Sequence, residues 1–435
     1  MQKSKKQLIL AISSLGIGNL TSATFSFCLG VYVLQKTSSS MLFSMLLLVR
    51  PLSNLLLSSL IGFCVDKYDH KKICMIAQAT SVVAVILFIA LFRAQLSLSE
   101  RLLIIVASSI VLTVCDTFQS TSYKASTNSM VAAEHRQKLV AYEQLTDAGA
   151  VILAPILGGL LAGAVAISNI ALLELAGESV VLLAIALLDF RLISVDVEAI
   201  SDSWLLSIKN GLEYFKNDRY LMELLLFAVI ANFALSGLEV SLPIAMMKEL
   251  GIPANLYGLA DSFCAGGMLL VSLLLGSFKI PKNYLLTTGR IGIILAGDFI
   301  ILALACLCPN KLLATGIFSI CMLVVGACLA AVNLPYAMYV RTKVPVNLQG
   351  RVGATTSSVV ALLSPLGYAL FGLVLGQIKP VWCLMMCAII IFADGLHLLL
   401  STSRVNSSIW RKSLAPCGVR LFACFSFWLD LACRV

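Results

Sequence analysis

Gly62-Phe63-Cys64-Val65-Asp66-Lys67-Tyr68-Asp69-His70-Lys71-Lys72 is a short, cation-rich run set between two long apolar segments. A membrane-spanning helix needs about 20 consecutive apolar residues. Residues 41–64 and 73–92 each meet that length. The run between them is therefore read as a hairpin that returns the chain into the bilayer, and its lysines place it on the cytoplasmic side.

Composition extends that reading to the whole chain. Of its 435 residues, 60% are hydrophobic and 12% charged, with a mean hydropathy of +0.97; a soluble domain carries about 25% charged residues. At about 20 residues per span, this length holds a dozen helices with short connections. The net charge of +9 does not point to nucleic acid, because the cations lie in loops rather than beside aromatics in a soluble domain. Cys28, Cys74, Cys115, Cys264 and most other cysteines fall inside apolar runs, where a thiol acts as a small hydrophobe. No paired C-x-x-C spacing argues for metal. Neither a nucleotide-binding loop nor a catalytic motif is present, so no enzyme activity, cofactor, metal or ATP is expected. Residues 7–35 are too long for a signal-peptide core and are followed by further spans, so the first helix is retained.

Spans are expected at about 8–34, 41–64, 73–92, 102–122, 139–165, 168–190, 221–246, 256–277, 284–307, 313–338, 353–377 and 380–402. The termini and the even-numbered turns hold most cations, among them Lys3, Lys6, Lys67, Lys71, Lys72, Lys124, Arg136, Lys138, Lys282 and Arg351. The other side holds only Lys36, Arg93, Arg101, Lys248, Lys311 and Lys379. This bias assigns both termini to the cytoplasm. The longest polar connection, 191–220, has an amphipathic stretch at 203–216. It divides the chain into a six-helix unit at 1–190, a cytoplasmic linker at 191–220, a second six-helix unit at 221–403 and a tail at 404–435 that is disordered or lies in the membrane interface.

The hairpin also reads G-x-x-x-D-K-x-x-x-K-K, which resembles the signature loop between helices 2 and 3 of the major facilitator superfamily. Asp69 and His70 stand where that pattern has Gly and Arg, and an acidic residue there is most similar to the macrolide-efflux type. The halves repeat as that superfamily's do. Tyr123, Val131 and Ala141 recur at one offset as Tyr336, Val344 and Ala354, and Ala154-Pro155-Ile156-Leu157-Gly158-Gly159 is answered by Ser364-Pro365-Leu366-Gly367. The resemblance implies an all-α membrane protein of twelve transmembrane helices in two pseudo-symmetric bundles, with a small-molecule site between them near the midplane. It further implies a multi-pass transporter of the plasma (inner) membrane, with substrate, protons and bilayer as partners and a monomer as the expected unit.

Site candidates follow from the same resemblance and from the cost of ionisable groups in lipid. Gly62 and Asp66 form the expected cytoplasmic gate, Asp66 facing the positive N-terminus of a helix in the other half. Pro155, Gly158 and Gly159 resemble the glycine-proline motif of antiporter helix five, with Ala154 in place of a Gly; tight packing or bending is the expected role. By resemblance spans 1, 4, 7 and 10 line the cavity, and Asp116 of span four, Asp147 of span five and Glu239 of span seven are the candidates for proton coupling. The basic residue usual in span four is absent, with Leu112 near its place. Asn19, Ser22 and Phe25, then Asn232, Phe233 and Ser236, then Asn333 and Tyr336, are the cavity candidates; interhelical hydrogen bonding is the other reading of the polar ones. Arg50 and Glu178 lie at similar depth and are expected to form a structural ion pair. The function expected is proton-coupled export of an amphipathic solute by alternating access. Its rivals are an uptake or lipid-handling permease, and a membrane sensor or immunity protein that has lost transport.

Overall fold

The computed structural model describes residues 2–37, 39–190, 214–215, 217–275 and 283–406. Among them are twelve helices long and apolar enough to cross a membrane. They are α1 (Gln2–Thr37), α2 (Ser40–Lys67), α3 (His70–Arg93), α4 (Leu98–Met130), α5 (Ala133–Ala164), α6 (Ile167–Leu187), α7 (Arg219–Pro243), α8 (Ala254–Leu275), α9 (Tyr284–Ala305), α10 (Lys311–Lys343), α11 (Val346–Val374) and α12 (Pro380–Asn406). An all-helical membrane fold in twelve spans is what the apolar runs led us to expect. The stretch 203–216, apart from residues 214–215, lies outside the described residues, as does the tail from 407 onward.

Short polar side chains start many of these helices. Ser39, Asp69, Ser97, Asp218, Asn283 and Asn310 each accept a hydrogen bond from a backbone N–H two or three residues on. Such caps satisfy donors that a helix leaves unpaired at its N-terminus. Outward faces carry Leu183, Leu187, Leu273 and Leu312, all well exposed. In a bilayer these contact acyl chains, and the backbone groups beneath them are satisfied within their own helices.

Packing repeats with the sequence. Pairs α1–α5, α1–α6, α2–α4, α3–α4 and α3–α6 recur six helices later as α7–α11, α7–α12, α8–α10, α9–α10 and α9–α12. The two sets of six meet through α2–α11 and α5–α8. Within the second set, α8 and α10 touch backbone to backbone: a Cβ at Gly326 would collide with the Cys264 carbonyl oxygen, and one at Gly267 with that of Leu323. Small residues are what permit such approaches between helices.

The meeting of the two sets is close at the face opposite the termini. There Gly372 of α11 lies against Ser44 of α2, a Cβ at Gly159 of α5 would come 2.6 Å from the Ala254 oxygen, and one at Gly258 of α8 would collide with the Pro155 oxygen. The ring of Phe27 stacks on Tyr257 at 5.4 Å and 16°. At the face holding the termini, a Cβ at Gly62 would meet nothing within 4 Å, and Asp66 is exposed.

Hairpin 62–72 has a structural logic of its own. Asp69, the departure from the usual pattern, caps α3 by accepting from the Lys72 N–H at 3.0 Å. His70 sits 2.8 Å from Ser126 Oγ and 3.0 Å from the Val65 oxygen. Lys71 donates to the Ala186 and Leu188 carbonyls at 2.8 and 2.7 Å. A cation there suits the negative end of α6, so Lys71 does more than orient the chain.

Candidate transport cavity

A cavity of about 410 Å³ lies where the two sets of six helices meet. Its size is that of a small-molecule site, for which the range is about 300–1,000 Å³. α1 supplies Ser26, Phe27 and Gly30 to the wall, α7 supplies Asn232, Ser236 and Glu239, α8 supplies Tyr257 and Asp261, and α11 supplies Ser364 and Tyr368. Met247, Met268 and Met322 complete an apolar, adaptable lining. Among the described residues, two acidic side chains line this space, and no Lys, Arg or His does.

Glu239 is exposed although it sits far inside the helical bundle, because the cavity reaches it. Its Oε2 accepts a hydrogen bond from the Tyr368 hydroxyl of α11. Four residues later Pro243 has no N–H, so the helical donor for the Glu239 carbonyl is missing. The chain continues there as a π-helical turn at Ile244–Glu249. Asp261 stands one turn beyond Tyr257 on α8, half-buried. A carboxylate pair between aromatic rings can hold a proton, or a cationic group stacked on those rings.

Other expected site residues fall in several places. Asn232, Ser236 and Glu239 line the cavity as expected, though the Asn232 amide donates to Ala228 O at 2.8 Å and the Ser236 hydroxyl to Phe233 O at 2.6 Å. Phe233 packs against Phe371 with ring centroids 5.1 Å apart. Asn19 donates to Asp147 Oδ1 at 2.6 Å, and Ser22 to Asp116 Oδ2 at 3.5 Å. These join α1 to α5 and α4 but are not part of the cavity wall. Pro155, Gly158 and Gly159 are buried contact points: a Cβ at Gly158 would come 2.6 Å from the Phe27 ring, and Gly159 meets α8.

Several expectations need correction. Arg50 pairs with Asp116 at 3.9 Å rather than with Glu178. Glu178 instead accepts from the Gln78 amide, because α6 packs on α3 and not on α2. Phe25 points into the core, edge-on to Phe88 at 5.3 Å, and its near neighbour Phe27 faces the cavity. Tyr336 bonds to Thr356 and packs against the cluster of Leu224, Phe227 and Leu285 near the terminal face. Asn333, although exposed, is not among the cavity-lining residues. Asp261 was missed, although an acid inside an apolar run was signal enough to find it. Glu223 was missed as well; it is buried, 2.9 Å from His397 Nε2 and 3.7 Å from Arg219.

Comparison with known proteins follows the same architecture. The family model described as Major Facilitator Superfamily matches residues 8–368. Macrolide efflux protein A of Streptococcus pyogenes is 26% identical over 366 residues, covering 81% of this chain and 85% of that protein. An uncharacterized MFS-type transporter of Bacillus subtilis (strain 168) is 26% identical over 415 residues, covering 91% and 92%. Among solved structures, a bacterial homologue of the iron transporter ferroportin in an inward-facing state superposes with a TM-score of 0.67 at 13% identity, over 92% of this chain and 98% of that one. The nucleoside transporter NupG superposes with a TM-score of 0.64, over 92% and 98%. At such identities the structural likeness speaks for fold alone.

Proposed function

The chain belongs to the Major Facilitator Superfamily, and from that membership we propose that it exports an amphipathic small molecule bearing a positive charge, in exchange for protons. The observation that carries this reading is the cavity wall, where Glu239 and Asp261 stand among Phe27, Tyr257, Tyr368 and three methionines, with no Lys, Arg or His among the described lining residues. In a site of low dielectric two like charges repel, and each attracts any positive group that enters. A proton and a cationic substrate then compete for the same carboxylates. Competition of that kind makes release of one the condition for binding the other. Aromatic faces and methionine side chains suit the apolar body of such a solute. The names of the macrolide-efflux relatives support the direction of transport.

The cation distribution supports a plasma-membrane orientation with both termini cytoplasmic. On that orientation the structure is closed toward the outside, through Gly159, Gly258, Gly372 and Ser44. Gly62 and Asp66 then stand apart, and they close on the other half when the cytoplasmic side shuts. Asp66 would face a helix N-terminus there, an interaction of about 0.3–1 kcal/mol when exposed and up to ~2 when partly buried.

Accumulation of a fluorescent amphipathic amine, measured in cells with and without the chain, tests the proposal. Cells with the chain should hold less dye, and a protonophore should erase the difference. Asp66→Asn should narrow the difference at near-normal abundance. Equal dye levels with and without the chain would sink the export reading.

A further inference from the structure

Within the first six helices, apart from the cavity, two carboxylates share a buried face. Glu174 and Glu178 stand four residues apart on α6 and so project from one side of it; they are 0% and 5% exposed. α1 comes very near at this level, since a Cβ at Gly177 would collide with the Thr21 side chain and one at Gly18 would sit 2.9 Å from Val181. From α3, buried Gln78 donates its Nε2 to the Glu178 backbone oxygen at 2.9 Å and to Glu178 Oε2. The Thr21 hydroxyl donates to Gly18 O at 3.3 Å. Glu174 lies within reach of the Thr21 hydroxyl and of the Glu178 carboxyl group, yet neither of its carboxylate oxygens, nor Oε1 of Gln78, has a hydrogen-bond partner of good geometry among the described residues.

The surrounding charges do not neutralise this pair. α4 brings Asp116 and Cys115, and Arg50 of α2 is engaged by Asp116. Lys71 of α3 is held by the last carbonyls of α6, and α1 brings only the hydroxyls of Thr21 and Ser22. Neither Glu174 nor Glu178 has an ion-pair partner among the described residues. A buried charge without a partner is among the costliest features a fold can hold. The unsatisfied atoms are oxygens that accept and do not donate, from carboxylate and amide, with a hydroxyl beside them. That is the donor set of a hard cation, and one divalent ion would neutralise both carboxylates. The Gln78 amide, turned about its last bond, presents its oxygen to the same point.

We propose that Thr21, Gln78, Glu174 and Glu178 bind one divalent cation of the calcium class. Magnesium keeps several of its waters, whereas a dry site built of protein oxygens suits the larger ion. An ion here ties α1, whose Ser26 and Phe27 line the cavity, to α3 and α6.

The test uses the full chain in detergent, stripped with a chelator and titrated with Ca²⁺ as the only divalent ion. One ion per chain should bind saturably and raise the thermal midpoint. Glu174→Gln and Glu178→Gln should each weaken binding by more than the ~10–100-fold that loss of an outer-shell group costs. Glu239→Gln, outside the set, should bind as wild type does. Each protein is compared only as a single elution peak with native helical circular dichroism. Absence of saturable Ca²⁺ binding to folded wild-type protein overturns the proposal, whatever the variants do, and so does wild-type affinity in both glutamine variants.

Discussion

Gly258→Leu should abolish export while leaving the amount of folded protein close to that of the wild type. The Cβ of any residue at 258 would collide with the Pro155 carbonyl and come within 3.2 Å of the Gly159 Cα. Overpacking of this kind costs about 1–3 kcal/mol. Here the clash lies between α5 and α8, from different halves, so it exists only while that face is closed. Rocking the halves apart removes it. Two access states differ by a few kcal/mol, and each ~1.4 kcal/mol shifts their ratio tenfold. The variant should therefore be trapped open at the outer face, with transport per molecule reduced at least ~10-fold. Gly326→Leu is the contrast: its clash with Cys264 joins α10 to α8 inside one half, where no rocking relieves it. That variant should lose abundance. Equal loss of protein in both would contradict the placement of 258 at a moving interface.

Neutralising the cavity acids should have the next largest effect. Glu239→Gln keeps the acceptor for Tyr368 but cannot exchange a proton, and Asp261→Asn does the same one wall away. Each should remove gradient-driven export, by ~100-fold if the carboxylate is the coupling group, since proton transfer by a placed side chain contributes about 10²–10⁴-fold where it limits a rate. Exchange of substrate down its own gradient should persist. Asp147→Asn, at an exposed side chain bonded to Asn19, should leave coupling intact. Asp116→Asn should do the same, because Asp116 bonds to Ser22 and Arg50 and is not part of the cavity wall. Full protonophore-sensitive export in both Glu239→Gln and Asp261→Asn would refute the assignment.

How much of this was legible beforehand depended on the kind of question. Span number and order followed from apolar run length, because a bilayer imposes one dimension on every helix. Side-chain direction did not follow. Residues advance about 100° per position around a helix, so Phe25 and Phe27 lie on opposite sides of α1, and depth alone could not choose between them. The pairing of Arg50 failed for the same reason. Depth matched it to Glu178, but the neighbour of α2 is α4, where Asp116 waits. Asp261 was overlooked, although an acid in an apolar run was signal enough. Asp69 read as a departure from a motif, and its meaning as the cap of α3 appeared only with the backbone around it.

Exchange of protons for an amphipathic cation at the cavity carboxylates can be followed in liposomes. The purified chain is reconstituted, the lumen is made acidic, and a permanently charged fluorescent quaternary ammonium amphiphile is added outside; lacking a titratable nitrogen, it cannot be trapped by pH alone. Accumulation should require the pH gradient, collapse with a protonophore and be absent with Glu239→Gln. Accumulation that is the same with and without the gradient, or no movement of the cation at all, would contradict such exchange.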